Sequence, residues 1–164
     1  FMDKGQLVPD KVVCDIVASR LVDDDCAGGA LLDGFPRTVP QAEMLSDWLS
    51  SQGRAVGAVV NLHVDDRILV ARLSGRRTCM SCGATYHVDN NPPNKEGLCD
   101  RCGGDVLQRK DDSAETVKAR LETYARDTAP VLEWLTPRAA VHSVNGAMPI
   151  EEVQGAILSA LRDQ

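Results

Sequence analysis

The fold class is decided by one stretch of the sequence, Leu31-Leu32-Asp33-Gly34-Phe35-Pro36-Arg37-Thr38. The residues from 27 to 34 form a short, largely apolar run that contains an aspartate near its end. Such a run is typical of a parallel strand that is buried on both faces. Open α/β sheets bind their ligands at the carboxyl ends of parallel strands, and this is where Asp33 is expected to lie.

Two interpretations of this stretch are open. In the first, Asp33 holds Mg²⁺ directly or through water in a phosphoryl-transfer site. Gly34 then lets the backbone approach a ligand closely, Pro36 stiffens the turn, and Arg37 extends its guanidinium into the same crevice. In the second, the stretch is an ordinary strand-to-helix turn in which Asp33 acts as a cap. The pattern by itself favours neither interpretation.

Strand-like and helical patterns alternate along the rest of the chain. Further strands are predicted over 55–64 and 140–144. Short connections between strands and helices are typical of a parallel sheet. The predicted fold class is therefore α/β, with helices packed against a parallel sheet.

Five helices are predicted between and after these strands. Two of their starts carry a capping-box pattern, Thr38 with Gln41 and Asp112 with Glu115. The predicted helix starts are Pro9, Thr38, Asp65, Asp112 and Pro149. The apolar side chains expected to face the core are Val12, Val13, Ile16, Val17 and Leu21 in the first helix, Leu45, Trp48 and Leu49 in the second, Val117, Leu121 and Tyr124 in the fourth, and Ile150, Val153, Ile157, Leu158 and Leu161 in the last.

Length and composition exclude several classes of protein. The 164 residues suffice for one compact domain with a small insertion, and 43% of them are hydrophobic, so a core can form. The net charge of −6 and the small number of aromatic residues argue against a role in binding nucleic acid or anionic membranes. No apolar run approaches 18 residues and no signal-peptide pattern is present, so we expect a cytoplasmic protein.

Four of the six cysteines form two C-x2-C pairs separated by 16 residues, Cys79 with Cys82 and Cys99 with Cys102. This spacing is typical of a structural zinc site with four thiolate ligands. The alternative is two disulfides, which a cytosolic location disfavours. His87 is a potential fifth donor, but four thiolates already close such a site, so a strand position is expected for it. Cys14 and Cys26 are expected to be buried thiols without a metal.

Arginines flank the cysteine module on both sides in an otherwise acidic chain. Their planar side chains could form a clamp for a polyphosphate. Ordinary ion pairs with Asp111 and Asp112 are the alternative, and the clustering at both ends of the module favours the clamp. The arginines are Arg72, Arg76, Arg77, Arg109 and Arg120.

These residues together carry a resemblance to a known family. The chain resembles adenylate kinases of the long type, which have a zinc-binding lid. The resemblance spans nearly the whole chain in the family's order and implies a P-loop NTPase-like parallel sheet with helices on both faces, lacking its first strand. The matching stretches are residues 5–9, 31–38 with Gln41, 72–77, 86–88 with 91–93, 109–112, and 116–117 with 120–121.

The resemblance implies a transferase of nucleotide biosynthesis and homeostasis, a monomeric nucleoside monophosphate kinase that converts ATP and AMP reversibly into two ADP. It implies a structural Zn²⁺ in the lid and a Mg²⁺ that enters with ATP and is held through water by Asp33. The catalytic positions are Asp33, Arg76, Arg109 and Arg120. The AMP-binding positions are Gln6, Leu7, Val8, Gly34, Phe35, Pro36, Arg37, Gln41, Arg109 and Arg120. The ATP-binding positions are Arg72, Arg76, Thr85, Tyr86 and Met148.

The family's glycine-rich phosphate-binding loop with its lysine occurs nowhere in the 164 residues. We therefore expect the chain as given to be the C-terminal part of an adenylate kinase and to be inactive alone. The expected segments are 1–8 as the remnant of an AMP-binding segment, 9–74 and 113–164 as the core, and 75–112 as the zinc-binding lid.

Two other functions compete with this one. The first is a non-catalytic nucleotide-binding protein, and the second is a zinc-ribbon binding module that contacts nucleic acid. A ribbon of that kind usually carries basic residues among its cysteines. Here residues 78–102 hold two basic residues, Lys95 and Arg101, against three acidic ones, which disfavours that function.

Overall fold

The computed structural model describes residues 8–162, which divide into two compact units. The sheet unit contains residues 8–63 and 122–162, and the lid unit contains Val64–Leu121. The expected segment boundaries at 8/9, 74/75 and 112/113 stay a prediction. The elements are α1 (Asp10–Leu21), α2 (Val39–Ser51), β1 (Ala58–His63), α3 (Asp66–Ser74), β2 (Arg76–Cys79), β3 (Thr85–His87), β4 (Val106–Leu107), α4 (Ala114–Thr123), α5 (Ala129–Leu135), β5 (Ala140–Asn145) and α6 (Ile150–Arg162).

The parallel sheet predicted from the sequence is present in the sheet unit. Strands β1 and β5 run parallel and in register, from Ala58 opposite Ala140 to His63 opposite Asn145. Both strands lie within or beside their predicted ranges. The predicted class, an α/β fold with helices and a parallel sheet, is therefore confirmed.

The strand predicted over 27–34 is wrong, because this segment forms turns and irregular backbone. The side chain of Leu31 is 90% exposed, while that of Leu32 is half-buried. A strand buried on both faces needs a partner strand for its backbone amides and carbonyls. Among residues 8–162, the only strand pair of this unit is β1 with β5, and neither pairs with the segment.

Two of the predicted helix faces are also wrong in part. In α1 the buried residues are Cys14 and Leu21, whereas Val12 and Ile16 are exposed. In α6 the side chains of Ile150, Leu158 and Leu161 are exposed, and only part of the predicted face is half-buried. Two short strands present too little apolar surface to cover every helix, so part of each stripe stays at the surface.

The core of the sheet unit forms around α2. One cluster contains Leu21, Cys26, Leu45 and Leu49, with Trp48 packed against it. A second cluster places Ala42 of α2 against Val131 and Leu135 of α5, with Val59 of β1 beside them. Burial of the predicted α2 stripe is thus confirmed, and so is the expectation that Cys14 and Cys26 are buried thiols.

The lid unit contains a three-stranded antiparallel sheet in the order β3-β2-β4. Arg76 pairs with His87, and Cys79 pairs with Val106. Each cysteine pair sits in a tight turn whose following glycine has a positive φ, 73° at Gly83 and 72° at Gly103. Those turns need glycine because an L side chain rarely adopts this backbone conformation.

Of the two helix starts predicted in the lid unit, the one at Asp65 is confirmed and the one at Asp112 is wrong. Asp65 caps α3, because its carboxylate accepts the Arg67 amide at 2.8 Å. The predicted capping box of Asp112 with Glu115 is wrong. Ser113 is the cap of α4, and its hydroxyl accepts the Thr116 amide at 3.2 Å. The carboxylate of Asp112 is unavailable as a cap because it binds Arg76 instead.

The face predicted for the fourth helix is only partly buried. Val117 in α4 is completely buried, and Leu121 is half-buried. Tyr124 is exposed and lies in a π-helical turn, Tyr124–Thr128, that follows α4.

Within residues 8–162, the helices are all too short or too polar to cross a bilayer.

Burial in α2 and exposure in the segment before it predict different effects of two leucine substitutions on stability. Leu45→Ala should lower the free energy of unfolding by about 2–5 kcal/mol, because it leaves a cavity in the core. Leu31→Ala should change it by less than about 0.5 kcal/mol, because its side chain is at the surface. Chemical denaturation of both variants measures the difference. Equal losses would show that residues 27–34 pack as a buried strand.

Candidate functional site

The turn that precedes α2 is built around Gly34 and Arg37. Gly34 has a φ of 65°, and a Cβ added there would lie 2.9 Å from the Nη2 atom of Arg37. Arg37 Nε donates to the Gly34 carbonyl at 2.6 Å, so the exposed guanidinium folds back over its own turn. Asp33, one residue earlier, is also exposed. The turn therefore presents an arginine and a carboxylate at the surface within five residues.

Gln41 fixes the backbone of this turn from inside the protein. Its side chain is only 2% exposed. Its backbone amide donates to Thr38 Oγ1 at 3.2 Å, which confirms Thr38 as the N-cap of α2. Its Oε1 atom accepts the Arg37 amide at 2.7 Å, so the side-chain half of the predicted capping box reaches Arg37 and not Thr38. The Arg37 carbonyl in turn accepts the hydroxyl of Thr128 at 2.9 Å.

Sequence reasoning missed a carboxylate behind this turn. Asp10, in the first turn of α1, accepts Gln41 Nε2 at 2.8 Å and Thr38 Oγ1 at 3.0 Å on the same oxygen. The one indication of this carboxylate in the sequence is that Asp10 directly follows Pro9 at a predicted helix start. Of the other predicted AMP-binding positions, Val8 is half-buried just before α1, and Gln6 and Leu7 lie outside the described residues.

The lid unit gathers three of the predicted arginines around two aspartates. Asp112 is completely buried and binds Arg76 in a bidentate pair, with Arg76 Nε and Nη2 donating at 2.8 and 2.6 Å. The hydrogen bond to Asp112 raises the pKa of Arg76 above its ordinary value. Arg120 Nη1 lies 3.6 Å from the same carboxylate. A buried carboxylate thus fixes two guanidinium groups relative to each other.

Asp111 holds the third arginine of this cluster. Arg109 donates to its two carboxylate oxygens at 3.1 and 3.2 Å, and Arg120 Nη1 lies 3.6 Å from it. The side chains of Arg109 and Arg120 remain 47% and 39% exposed. Three guanidinium groups face two carboxylates, so the cluster carries one excess positive charge. Such a site is suited to binding an anion with several oxygens.

The remaining predicted ATP-binding positions are distributed over both units. In the lid unit, Arg72 lies exposed on α3 and Thr85 lies exposed on β3. Tyr86 is only 6% exposed, its side chain belongs to the core of the lid, and its strand position is paired with Arg77. Met148 belongs to the sheet unit, half-buried in the loop between β5 and α6.

The four predicted metal ligands form one group. The Sγ atoms of Cys79, Cys82, Cys99 and Cys102 all lie within 4.8 Å of one another. The Cys79–Cys102 and Cys82–Cys99 distances are 3.5 and 3.6 Å, too long for disulfides. With metal–sulfur bonds of about 2.3 Å, a tetrahedral site has sulfur–sulfur edges of about 3.8 Å. The thiols therefore fit a tetrahedral ion with a small adjustment.

Hydrogen bonds favour the thiolate form at two of these cysteines. The Tyr86 hydroxyl donates to Cys99 Sγ at 3.3 Å and lowers the pKa of that thiol to about 6. The backbone amide of Cys82 lowers the pKa of Cys79 below its ordinary value. The Tyr86 oxygen also accepts the Asp100 amide at 2.8 Å, which fixes the direction of the hydroxyl. At Cys102 the Gly104 amide lowers the pKa, but hydrogen bonds with the Cys82 and Cys79 thiols outweigh it and raise the pKa to about 12. The anionic form is thus favoured at Cys79 and Cys99 and not at Cys102.

His87 is a strand residue, as the sequence predicted, and is not part of the thiol group. Its Nδ1 accepts the Asp89 amide at 3.1 Å, and its Nε2 lies 3.3 Å from the Ala71 carbonyl. A Cβ at Gly75 would collide with the His87 ring. The histidine therefore packs against the end of α3 and has a structural role.

The buried pair of Arg76 and Asp112 yields a prediction about stability. Asp112→Asn should lower the free energy of unfolding by about 3 kcal/mol or more, because it leaves the guanidinium without its counter-charge. Asp111→Asn is the matched control and should cost less than about 1 kcal/mol, because Asp111 is partly solvated. Thermal denaturation compares the two variants. Equal effects would show that burial of Asp112 does not control the cluster.

Comparison with known proteins identifies the family. The model of the adenylate kinase family matches residues 1–140. An adenylate kinase from Carboxydothermus hydrogenoformans is 49% identical over 162 residues, which are 99% of this chain and 76% of that protein. One from Bacillus pumilus is 50% identical over 161 residues, 98% of this chain and 74% of that protein. The chain therefore belongs to the adenylate kinase family, which consists of nucleoside monophosphate kinases.

Proposed function

We propose that this chain provides the AMP site and the phosphate-gathering arginines of an adenylate kinase that converts ATP and AMP into two ADP. The observation that carries the proposal is the cluster of Arg76, Arg109 and Arg120 around Asp111 and Asp112. Phosphoryl transfer depends on positioning and on stabilising negative charge at the transferred group. A fixed set of guanidinium groups with excess positive charge supports that requirement.

The AMP side of the proposed site is the turn before α2. Arg37 would bind the AMP phosphate, and Gly34 would let the nucleotide approach the backbone, with Phe35 and Pro36 between them. Gln41 would support this turn through its bond to the Arg37 amide. Gln6, Leu7 and Val8 complete the proposed AMP-binding set. What supports this assignment is that one continuous turn exposes the arginine and fixes its backbone at both the amide and the carbonyl.

The ATP side is assigned to Arg72, Arg76, Thr85, Tyr86 and Met148. Arg76 would bind ATP phosphate through its solvent-exposed edge while its other edge stays on Asp112. Tyr86 would contribute backbone atoms, because its side chain binds Cys99 within the lid.

Arg109 and Arg120 would bind the transferring phosphates from both nucleotides. In the structure their shared partner is Asp111, whose carboxylate offers two oxygens as a phosphate does. A polyphosphate carries more charge than a carboxylate and would compete for the same guanidinium groups. Asp111 would thus keep the two arginines close together until the nucleotides bind.

Two metal ions belong to the proposal. Asp33 is an exposed carboxylate, a hard oxygen donor that suits Mg²⁺, an ion that keeps several waters when one or two carboxylates hold it. It would orient those waters toward the ATP phosphates, and the ion would supply positive charge there. Zn²⁺ would be held by Cys79, Cys82, Cys99 and Cys102 and would have a structural role in the lid.

We further propose that the protein works as a monomer in the cytoplasm, without nucleic acid or membrane as partners. Its net charge of −6 and the absence of a basic surplus among the lid cysteines support this expectation.

The proposed function is tested by steady-state kinetics of ADP formation. The assay uses the chain joined to the phosphate-loop segment of an adenylate kinase relative, because no such loop occurs in the 164 residues. Arg37→Lys should raise the KM for AMP about ten- to hundredfold, because lysine cannot form a bidentate phosphate pair. Arg76→Lys should raise the KM for ATP by a similar factor, because lysine cannot pair with both Asp112 oxygens and still offer a guanidinium edge to phosphate.

Arg126→Lys is the matched control, since Arg126 is exposed, pairs with Asp127 and has no role in the proposed site. The chain without the added loop should give no measurable ADP formation. If both lysine variants match the unmodified enzyme for both substrates, the assignment of Arg37 and Arg76 is wrong.

The zinc assignment is tested by metal content. The purified chain should contain one Zn²⁺, and Cys99→Ser should lose it and become sensitive to protease within the lid, because structural zinc contributes on the order of 10 kcal/mol to the folding of small modules. Cys26→Ser is the control, because Cys26 lies outside the thiol group. Purified wild-type chain without metal and with Cys79, Cys82, Cys99 and Cys102 all freely reactive would contradict the assignment.

A further inference from the structure

Hydrogen bonds connect the carboxylate of Asp10 to the backbone of Arg37 through the side chain of Gln41. The Asp10 Oδ1 atom accepts Gln41 Nε2 at 2.8 Å. The Oε1 atom on the other side of that amide accepts the Arg37 backbone N–H at 2.7 Å. Thr38 contributes a second donor to Asp10 at 3.0 Å. A half-buried carboxylate on α1 is thus linked to the arginine turn through one buried side chain.

Only one orientation of the Gln41 side-chain amide satisfies both of these hydrogen bonds. A carboxylate accepts hydrogen bonds and donates none, so it requires the NH₂ end of the Gln41 amide. The carbonyl end must then face Arg37, whose backbone N–H is a donor. If the amide were rotated by 180°, oxygen would face the Asp10 carboxylate and NH₂ would face the Arg37 N–H. Because Gln41 is buried, water cannot relieve either conflict.

We propose that Asp10 is a positioning residue for AMP binding: by fixing the orientation of the Gln41 amide, it holds the Arg37 backbone in the conformation that presents its guanidinium. The inference rests on the proposed function for its consequence, since Arg37 is assigned to the AMP phosphate there. The positioning itself rests only on contacts within the sheet unit.

A second role of Asp10 has to be separated from this one. An acidic residue in the first turn of a helix also stabilises the helix through its dipole. That effect depends on the negative charge, whereas the contact with Gln41 depends on an acceptor oxygen. Asp10→Asn removes the charge and keeps an acceptor oxygen for Gln41 Nε2. Asp10→Ala removes both. The two variants therefore distinguish positioning from helix stabilisation.

The first measurement is amide hydrogen exchange by NMR on the same protein as in the kinetic assay, the chain joined to the phosphate-loop segment of an adenylate kinase relative. In Asp10→Ala the Arg37 backbone N–H should exchange at least about tenfold faster than in wild type, because its acceptor is no longer held in place. In Asp10→Asn the rate should stay within about threefold of wild type on the same grounds. Asp15→Ala is the control, since it removes a carboxylate from the same helix whose partner is the exposed Lys11.

Unchanged exchange at Arg37 in Asp10→Ala would overturn the proposal. Equal acceleration in Asp10→Asn and Asp10→Ala would also overturn it, because loss of the helix charge would then explain the effect.

The second measurement is AMP titration of the same variants, followed by chemical shifts. The dissociation constant for AMP should rise about tenfold in Asp10→Ala and recover in Asp10→Asn, as expected for loss of one hydrogen bond to a charged group. If Asp10→Ala binds AMP as wild type does while Arg37→Lys binds it more weakly, the positioning role is contradicted and the proposed function is not. Absence of any AMP-induced shift in wild type would contradict the proposed function, while the exchange comparison still decides the positioning role.

Discussion

The arginine cluster of the lid unit depends on one buried ion pair, Arg76 with Asp112. The two residues are 36 positions apart in the chain and lie at the entry and the exit of the cysteine module. Desolvating a carboxylate is costly, and two hydrogen bonds from a guanidinium offset that cost only when the geometry is good. Gln108 adds to this closure by donating to the backbone carbonyls of Ser74 and Asp112, both at 2.9 Å. The strand and the turn at the two ends of the module are thereby fixed to each other.

This closure supports the role that we propose for the arginine cluster. With Asp112 fully buried, its charge acts mainly on Arg76 and Arg120, and Asp111 remains as the exchangeable partner of the outer arginines. The inner carboxylate sets the spacing of the cluster, and in the proposed function the outer one would compete with phosphate. Preorganised guanidinium groups lose less side-chain freedom when a nucleotide binds. The thiol group complements this arrangement, because a tetrahedral ion would fix the far end of the same module.

The turn before α2, to which we assign AMP, is stabilised in a different way. Arg37 is exposed and forms no ion pair within residues 8–162, and its backbone N–H and carbonyl are both held by hydrogen bonds. Gly34 permits the turn because it adopts a positive φ. The side-chain oxygen of the buried Gln41 accepts the Arg37 N–H and so fixes the orientation of that peptide group. Asp10 extends this control to α1, which is 31 positions away in the sequence from Gln41. Both sites thus place an aspartate behind the group that would bind phosphate: the buried Asp112 pairs with its arginine directly, and the half-buried Asp10 acts through an amide.

The sequence by itself determined the parallel strands at 55–64 and 140–144, the helix cap at Thr38 and the four-thiol group, because each depends on local spacing or on residue chemistry. The tertiary structure alone decided that residues 27–34 are not a strand, since a buried strand requires neighbours that pair with its backbone. It also decided between the two roles that the sequence offered for Asp112, a helix cap and an ion-pair partner of the arginines. A local pattern made that residue a helix cap, whereas burial against Arg76, far away in the sequence, made it the centre of the arginine cluster. Local chemistry fixes which contacts a residue can make, and long-range packing determines which of them it does make.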